Sequence, residues 1–195
     1  MSGCPPEDEY RFVALDVETA NNDRASICQI GLACVDWDNQ ISKWSIYVDP
    51  EVSFSSFNSK LHGINADTVA RASAFPDVWG RLGPFLKQFS MVQHSRFDEL
   101  AINAACQKYM LDIPRLKWTD SVKVAQHAWP QFKGNGGHGL ASLKKRLGLS
   151  FKHHDAGEDA GASAQIILRA EAVLGDQFAK VTTIPTVRQL QLPLW

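Results

Sequence analysis

The sequence predicts an α/β domain, a mixed β-sheet flanked by α-helices. Three apolar, strand-like runs follow one another with short links near the start. Helical runs then alternate with short strand-like runs. The composition, 45% hydrophobic and 21% charged over 195 residues, is that of a globular chain with a real core.

"YRFVALDVET" (10–19), an apolar run ending in polar residues, reads as the first strand. "ICQIGLACVDW" (27–37) and "ISKWSIYVDP" (41–50) read as two more, joined by the tight turn "DNQ". Short links of this kind predict an antiparallel meander. Helical spacing begins around "LHGINADTVARA" (61–72), with Asn65 as a cap. "FPDVWGRLGPFLKQF" (75–89) continues it, although Gly80, Gly83 and Pro84 weaken the pattern. "MVQH" (91–94) is a short buried strand and "DELAINAACQKYM" (98–110) a helix. "KWTDS" (117–121) ends another strand, and a helix runs on through "VKVAQHAW". After the loop "GNGGHG" (134–139), "LASLKKRLGL" (140–149) is an amphipathic helix closed by Gly148, and a last long helix spans about 156–174. Three segments result: an N-terminal extension (1–9), the main domain (10–176) and an extended tail (177–195).

The bulk properties narrow the functional classes. No apolar run is long enough to span a bilayer, so no membrane partner is expected. The start "MSGCPPEDEY" lacks the layout of a signal peptide, which makes the cytoplasm the expected compartment. Cys4, Cys28, Cys34 and Cys106 form no CxxC pair and read as reduced thiols. A net charge of -1 excludes a broadly basic nucleic-acid binder. A nucleic-acid partner would need a local basic patch or metal ions touching phosphate.

Acidic residues then stand out by position. Asp16 and Glu18 are two apart at the end of a strand, so both face one side. Two such carboxylates repel unless a cation lies between them, and hard divalent ions take oxygen ligands. Alone, the pair equally fits a polar strand end in water. Asp98, in "HSRFDELA", fits a helix cap as well as a ligand. "HHDAGEDA" (153–160) opens the last helix with His153, His154, Asp155, Glu158 and Asp159. Acidic residues there also suit the helix dipole. Chemistry alone does not separate the two neighbouring histidines.

The order of these pieces is specific. A strand carries DxE, a strand-to-helix junction carries FD, and a final helix opens with HxAxxD. The combination resembles the DEDDh branch of the DnaQ-like 3′–5′ exonucleases, of the polymerase III epsilon and exodeoxyribonuclease X type, over roughly residues 10 to 175. "ICQIG", "LHGI" and "HGLASLKKRLGL" add to the likeness. The resemblance implies an RNase H-like fold. It also implies a site for two Mg²⁺ or Mn²⁺ ions held by Asp16, Glu18, Asp98 and Asp159, with His154 as general base. Substrate contacts are expected at Thr19 and Ala20 through the backbone, and at His62, His94 and Phe97. The chain departs from the pattern twice. His94 stands where relatives often have the Asn of HNxxFD, and "ANNDRAS" follows DVET where many have TG. Lys144, Lys145 and Arg146, with Lys152, fit either a phosphate track or a solvated helix face.

The tail ends in "QLQLPLW" (189–195), in which four of seven residues are Leu or Trp. It resembles the QLxLPL type of bacterial sliding-clamp binding peptide, with Gln189, Leu192 and Leu194 as anchors. Folding back on the domain, or pairing in a dimer, is the alternative. The expected activity is 3′–5′ hydrolysis of single-stranded DNA to nucleoside 5′-monophosphates in proofreading or repair. The alternatives are an exoribonuclease of the RNase T or oligoribonuclease type acting on RNA 3′ ends, and a silent module that binds a clamp or polymerase.

Overall fold

The computed structural model describes residues 9–134 and 136–186. Three strands open the chain: β1 (Phe12–Thr19), β2 (Ile27–Val35) and β3 (Ile41–Tyr47). They pair antiparallel, as the short links predict. Two strands follow after helices, β4 (Ser90–Gln93) and β5 (Lys117–Asp120). β4 joins β1 in parallel and β5 joins β4 in parallel, giving the order β3-β2-β1-β4-β5. The result is the mixed sheet expected from the sequence.

The helices are α1 (Ser56–His62), α2 (Ala66–Val69), α3 (Phe75–Leu86), α4 (Phe97–Lys108), α5 (Ser121–Ala128), α6 (Leu140–Leu147), α7 (Ala156–Leu174) and α8 (Phe178–Val181). Asn65 caps α2, accepting from the backbone N–H of Thr68 at 3.0 Å. Gly148 closes α6 at φ 61°, a left-handed stop that glycine adopts without strain. α1 lies mostly before the region where helical spacing begins. It is a capped single element: Ser55 accepts from the Asn58 N–H, and Gly63 ends it at φ 81°. Its sequence "SFNSKLH" carries a single apolar pair, Phe57 and Leu61, too short a pattern to mark a helix by periodicity.

Strand alternation divides the core in two. Phe12 and Ala14 face a cluster built with Val124, Leu143, Ile166, Ile167 and Phe178. Val13, Leu15 and Val17 face the other, built with Phe75, Leu82, Leu86 and Ile102. Asp16 and Glu18 continue the first face, toward α7. β2 is buried at all nine positions because both layers cover it.

α7 lies unusually close to the sheet. A Cβ on Gly31 would fall 2.0 Å from the carbonyl carbon of Ala156, and one on Gly161 would fall 2.7 Å from Cδ of Lys43. Gly31 is the β2 partner of Asp16, so the first turn of α7 is pressed onto the strand beside it. Gln29 fixes the contact by accepting from the Ala156 N–H at 3.2 Å.

The main domain reaches further than residue 176. Phe178 is fully buried and Ile184 nearly so, both in the α7 core. Buried Arg11 donates to the Pro185 carbonyl at 2.7 Å, to Asn39 Oδ1 at 2.6 Å and to Glu171 Oε1 at 2.5 Å. The extended tail expected from 177 is therefore packed against the domain as far as Pro185. Gln189, Leu192 and Leu194 lie outside the described residues. Among the described residues, no helix is long and apolar enough to cross a membrane. Cys28, Cys34 and Cys106 are all buried.

Candidate active site

The acidic residues meet at the carboxyl ends of β1 and β4, where α4 and α7 begin. This is the usual place for a ligand on an open α/β sheet. One carboxylate oxygen each from Asp16, Glu18 and Asp159 all lie within 4.8 Å of one another. Asp98, 2% exposed, stands beside them in the first turn of α4. Its Oδ1 accepts from the Val17 N–H at 3.0 Å, which ties α4 to the strand between Asp16 and Glu18.

Crowding and burial together act on the titration of these groups. Burial, then the charges of Asp98, Asp159 and Glu18, hold Asp16 well above the ordinary carboxylate range. Burial, then Asp159, pushes Glu18 up to about 7. Burial pushes Asp98 up to about 8 against the Val17 hydrogen bond. Burial also raises Asp159, opposed by the His154 N–H and by His153. Four carboxylates in so small a volume are costly as bare anions. They are hard oxygen donors of the kind that Mg²⁺ and Mn²⁺ take, so the donor set fits such ions.

The histidine pair sits at the rim. His153 Nδ1 lies 2.8 Å from Asp159 Oδ2, and the backbone N–H of His154 donates to the same oxygen at 3.0 Å. The two imidazoles are stacked with centroids 4.0 Å apart. His154 has φ 66°, a left-handed backbone that few non-glycine residues adopt. Burial and the neighbouring His153 lower its pKa, which favours the neutral imidazole. Asp155 caps α7 and Glu158 pairs with Lys43, so both competing carboxylates have structural roles.

A cleft of about 930 Å³ opens over these groups. Of the expected substrate contacts, Thr19, His94 and Phe97 line it. His62 acts behind it. Its Nδ1 accepts from the Ile64 N–H at 3.0 Å, so Nε2 carries the proton and donates to the Thr19 carbonyl at 3.1 Å. Ala20 is not brought to the cleft. It is fully buried, its N–H donates to Ser26 and its carbonyl accepts from Ser55. His94 reaches Ser121 Oγ with Nδ1 at 2.8 Å, and burial lowers its pKa to about 4. Lys144 is committed elsewhere, donating to the Phe151 carbonyl at 2.6 Å. Neither it nor Lys145, Arg146 or Lys152 lines the cleft.

The structure adds residues that sequence reasoning missed. Phe57 and Leu61, from α1, line the cleft and are 70% and 43% exposed; Phe97, which also lines it, is 40% exposed. Phe57 and Leu61 are four apart on a short helix, an apolar pair pointing away from any core. That spacing was the available signal.

An exonuclease family model, of the RNase T type, matches residues 13–167. The DNA polymerase III PolC-type protein of Streptococcus pneumoniae is 29% identical over 168 residues, 82% of this chain. That of Streptococcus thermophilus is 28% identical over 166 residues. This chain spans 11% of the length of each. Among solved structures, the nuclease domain of 3′hExo, a DEDDh family member bound to rAMP, superposes with a TM-score of 0.72 at 20% identity, over 91% of this chain and 96% of that one. Exonuclease X in complex with 5′ overhanging duplex DNA gives 0.67 at 22% identity, over 89% and 98%.

Proposed function

The chain belongs to the RNase T exonuclease family, and from that premise we propose that it hydrolyses single-stranded DNA from the 3′ end, releasing nucleoside 5′-monophosphates. The convergence of Asp16, Glu18 and Asp159 within 4.8 Å carries the reading. With Asp98 beside them, these carboxylates would hold two Mg²⁺ or Mn²⁺ ions. When bound, the ions would supply Lewis acidity to the phosphoryl oxygens and make water acidic enough to give up a proton near neutral pH.

The protein's own groups do the rest. His154, neutral at physiological pH, takes the proton from the attacking water, and the 3′-oxygen leaves with the upstream strand. Its place on the loop before α7 lets it move with substrate. His153 holds Asp159 until the carboxylate is needed. Phe57, Leu61 and Phe97 offer apolar faces to unstacked bases, which suits a single strand or a frayed end. His62 and Asn58 fix the Thr19 carbonyl and with it the cleft floor.

The PolC-type relatives support DNA rather than RNA as substrate, and proofreading or repair as the setting. The terminal Gln189, Leu192 and Leu194 extend the reading to a bacterial sliding clamp, which would raise the local concentration of enzyme at DNA. Binding of a 182–195 peptide to purified clamp tests that part.

The central experiment compares labelled DNA and RNA single strands bearing a 3′-hydroxyl or a 3′-block, with Mg²⁺, Mn²⁺ or EDTA. Mononucleotide release from the 3′-hydroxyl DNA strand, abolished by EDTA and by Asp16→Asn, is expected. Undiminished activity in Asp16→Asn would end the proposal, and preference for RNA would transfer it to the exoribonuclease class.

A further inference from the structure

The turn between β4 and α4 has two working sides. His94 and Phe97 face the catalytic cleft. Gln93 and Arg96, interleaved with them, face a separate groove of about 600 Å³ along β5 and the start of α5. Residues 180–183 form its far wall.

The charge in this groove is unevenly committed. Asp120 caps α5, accepting from the Val122 N–H at 2.9 Å, and also accepts from the Ser95 N–H at 3.3 Å. Glu99 is taken by Arg96 at 3.2 Å. That leaves Lys123 and Lys180, both exposed, with no side-chain partner among the described residues. Trp118, half-buried, adds an aromatic surface to the same groove. Unpaired ammoniums beside an indole are the two elements of a single-strand binding track, one for phosphate and one for a base. The chain as a whole carries a charge of -1 and offers no general attraction to a polyanion. Such binding therefore has to come from local cations.

We propose that this groove carries the phosphodiester backbone of the substrate strand upstream of the nucleotides held in the cleft. The strand crosses the 94–97 turn and meets Arg96, then Lys123 and Lys180. The inference rests on the exonuclease reading and assigns it a second contact region, which makes affinity depend on strand length.

Kinetics of a Lys123→Glu/Lys180→Glu variant on a dinucleotide and on a single strand of about twenty nucleotides test it. For the long strand, KM should rise about ten-fold or more, and the slope of log KM against log salt should fall by roughly 0.7 for each lost contact. Hydrolysis of the dinucleotide, which cannot reach the groove, should be unchanged; that also shows the variant is folded. Arg96→Ala should shift the long-strand KM in the same direction. An active wild type whose double variant handles both lengths unchanged, or loses both equally, overturns the groove alone. A wild type inactive on every nucleic acid overturns the exonuclease reading and the groove with it.

Discussion

His153 Nδ1 lies 2.8 Å from Oδ2 of Asp159, so one imidazole occupies a carboxylate that the proposed metal site needs. The neighbouring His154 touches the same oxygen only through its backbone N–H. The two histidines should therefore respond differently to removal. His154→Ala should lower kcat about 10²- to 10⁴-fold at saturating metal, the range for loss of a general base. His153→Ala should keep most of the activity and tighten Mn²⁺ binding, because Asp159 loses its competing partner. Steady-state kinetics and a calorimetric Mn²⁺ titration read the two effects separately.

The carboxylates predict how stability varies with pH. Glu18 at about 7 and Asp98 at about 8 both titrate above the ordinary carboxylate value near 4. Between those limits the folded, metal-free chain holds more protons than the unfolded one. Stability is thus highest on the acid side of the window and falls as pH rises toward about 8. Melting temperature in EDTA should decline across this range, and saturating Mg²⁺ or Mn²⁺ should flatten the decline. Metal binding near neutrality should also release protons, seen as a dependence of the calorimetric heat on the buffer's ionisation enthalpy.

Arg11 should be among the costliest surface-remote positions to change. Its guanidinium is buried and divides its donors among Pro185, Asn39 and Glu171. Arg11→Met leaves all three acceptors without this donor and should cost about 3 kcal/mol or more. Chemical denaturation measures it, and a loss well under about 1 kcal/mol would show that water replaces the guanidinium.

Phe57→Ala should separate binding from chemistry. The side chain is 70% exposed, so the melting temperature should hardly move. Loss of one stacking face is worth about 1–3 kcal/mol, or roughly ten-fold in KM for single strands. A change confined to kcat would place Phe57 in another role.

Much of this was legible in the residues, for identifiable reasons. Asp16 and Glu18 share a face because strand side chains alternate, and nothing in the tertiary fold alters that. Thr68 and Asn65, or Gly148, carry their caps in local sequence. The tertiary consequences were not legible. Ala20 follows the DxE strand in sequence, yet Ser26, just before β2, and Ser55, just before α1, claim both of its backbone groups. Lys144 sits in a basic run, yet the Phe151 carbonyl folds back onto it. Phe178 and Ile184 follow a helix that looks complete, and only the sheet's far face shows why they are apolar. His153 and His154 differ by one position, and the left-handed turn at His154 decides which ring lies on Asp159.

The contact between Gly31 and Ala156 makes the proposed catalytic centre fragile in one direction only. Mutagenesis that only trims side chains has nothing to trim at Gly31 and would pass over the position. Adding a single methyl there asks backbone atoms 2.0 Å away to retreat. The helix that retreats carries Asp159, so a carbon with no charge and no part in the chemistry would uncouple the ion-holding groups from one another. Gly31→Ala should thus show up first as weakened Mn²⁺ binding. Sequence variation in such an enzyme should be limited here by added bulk, and not by lost function of any side chain.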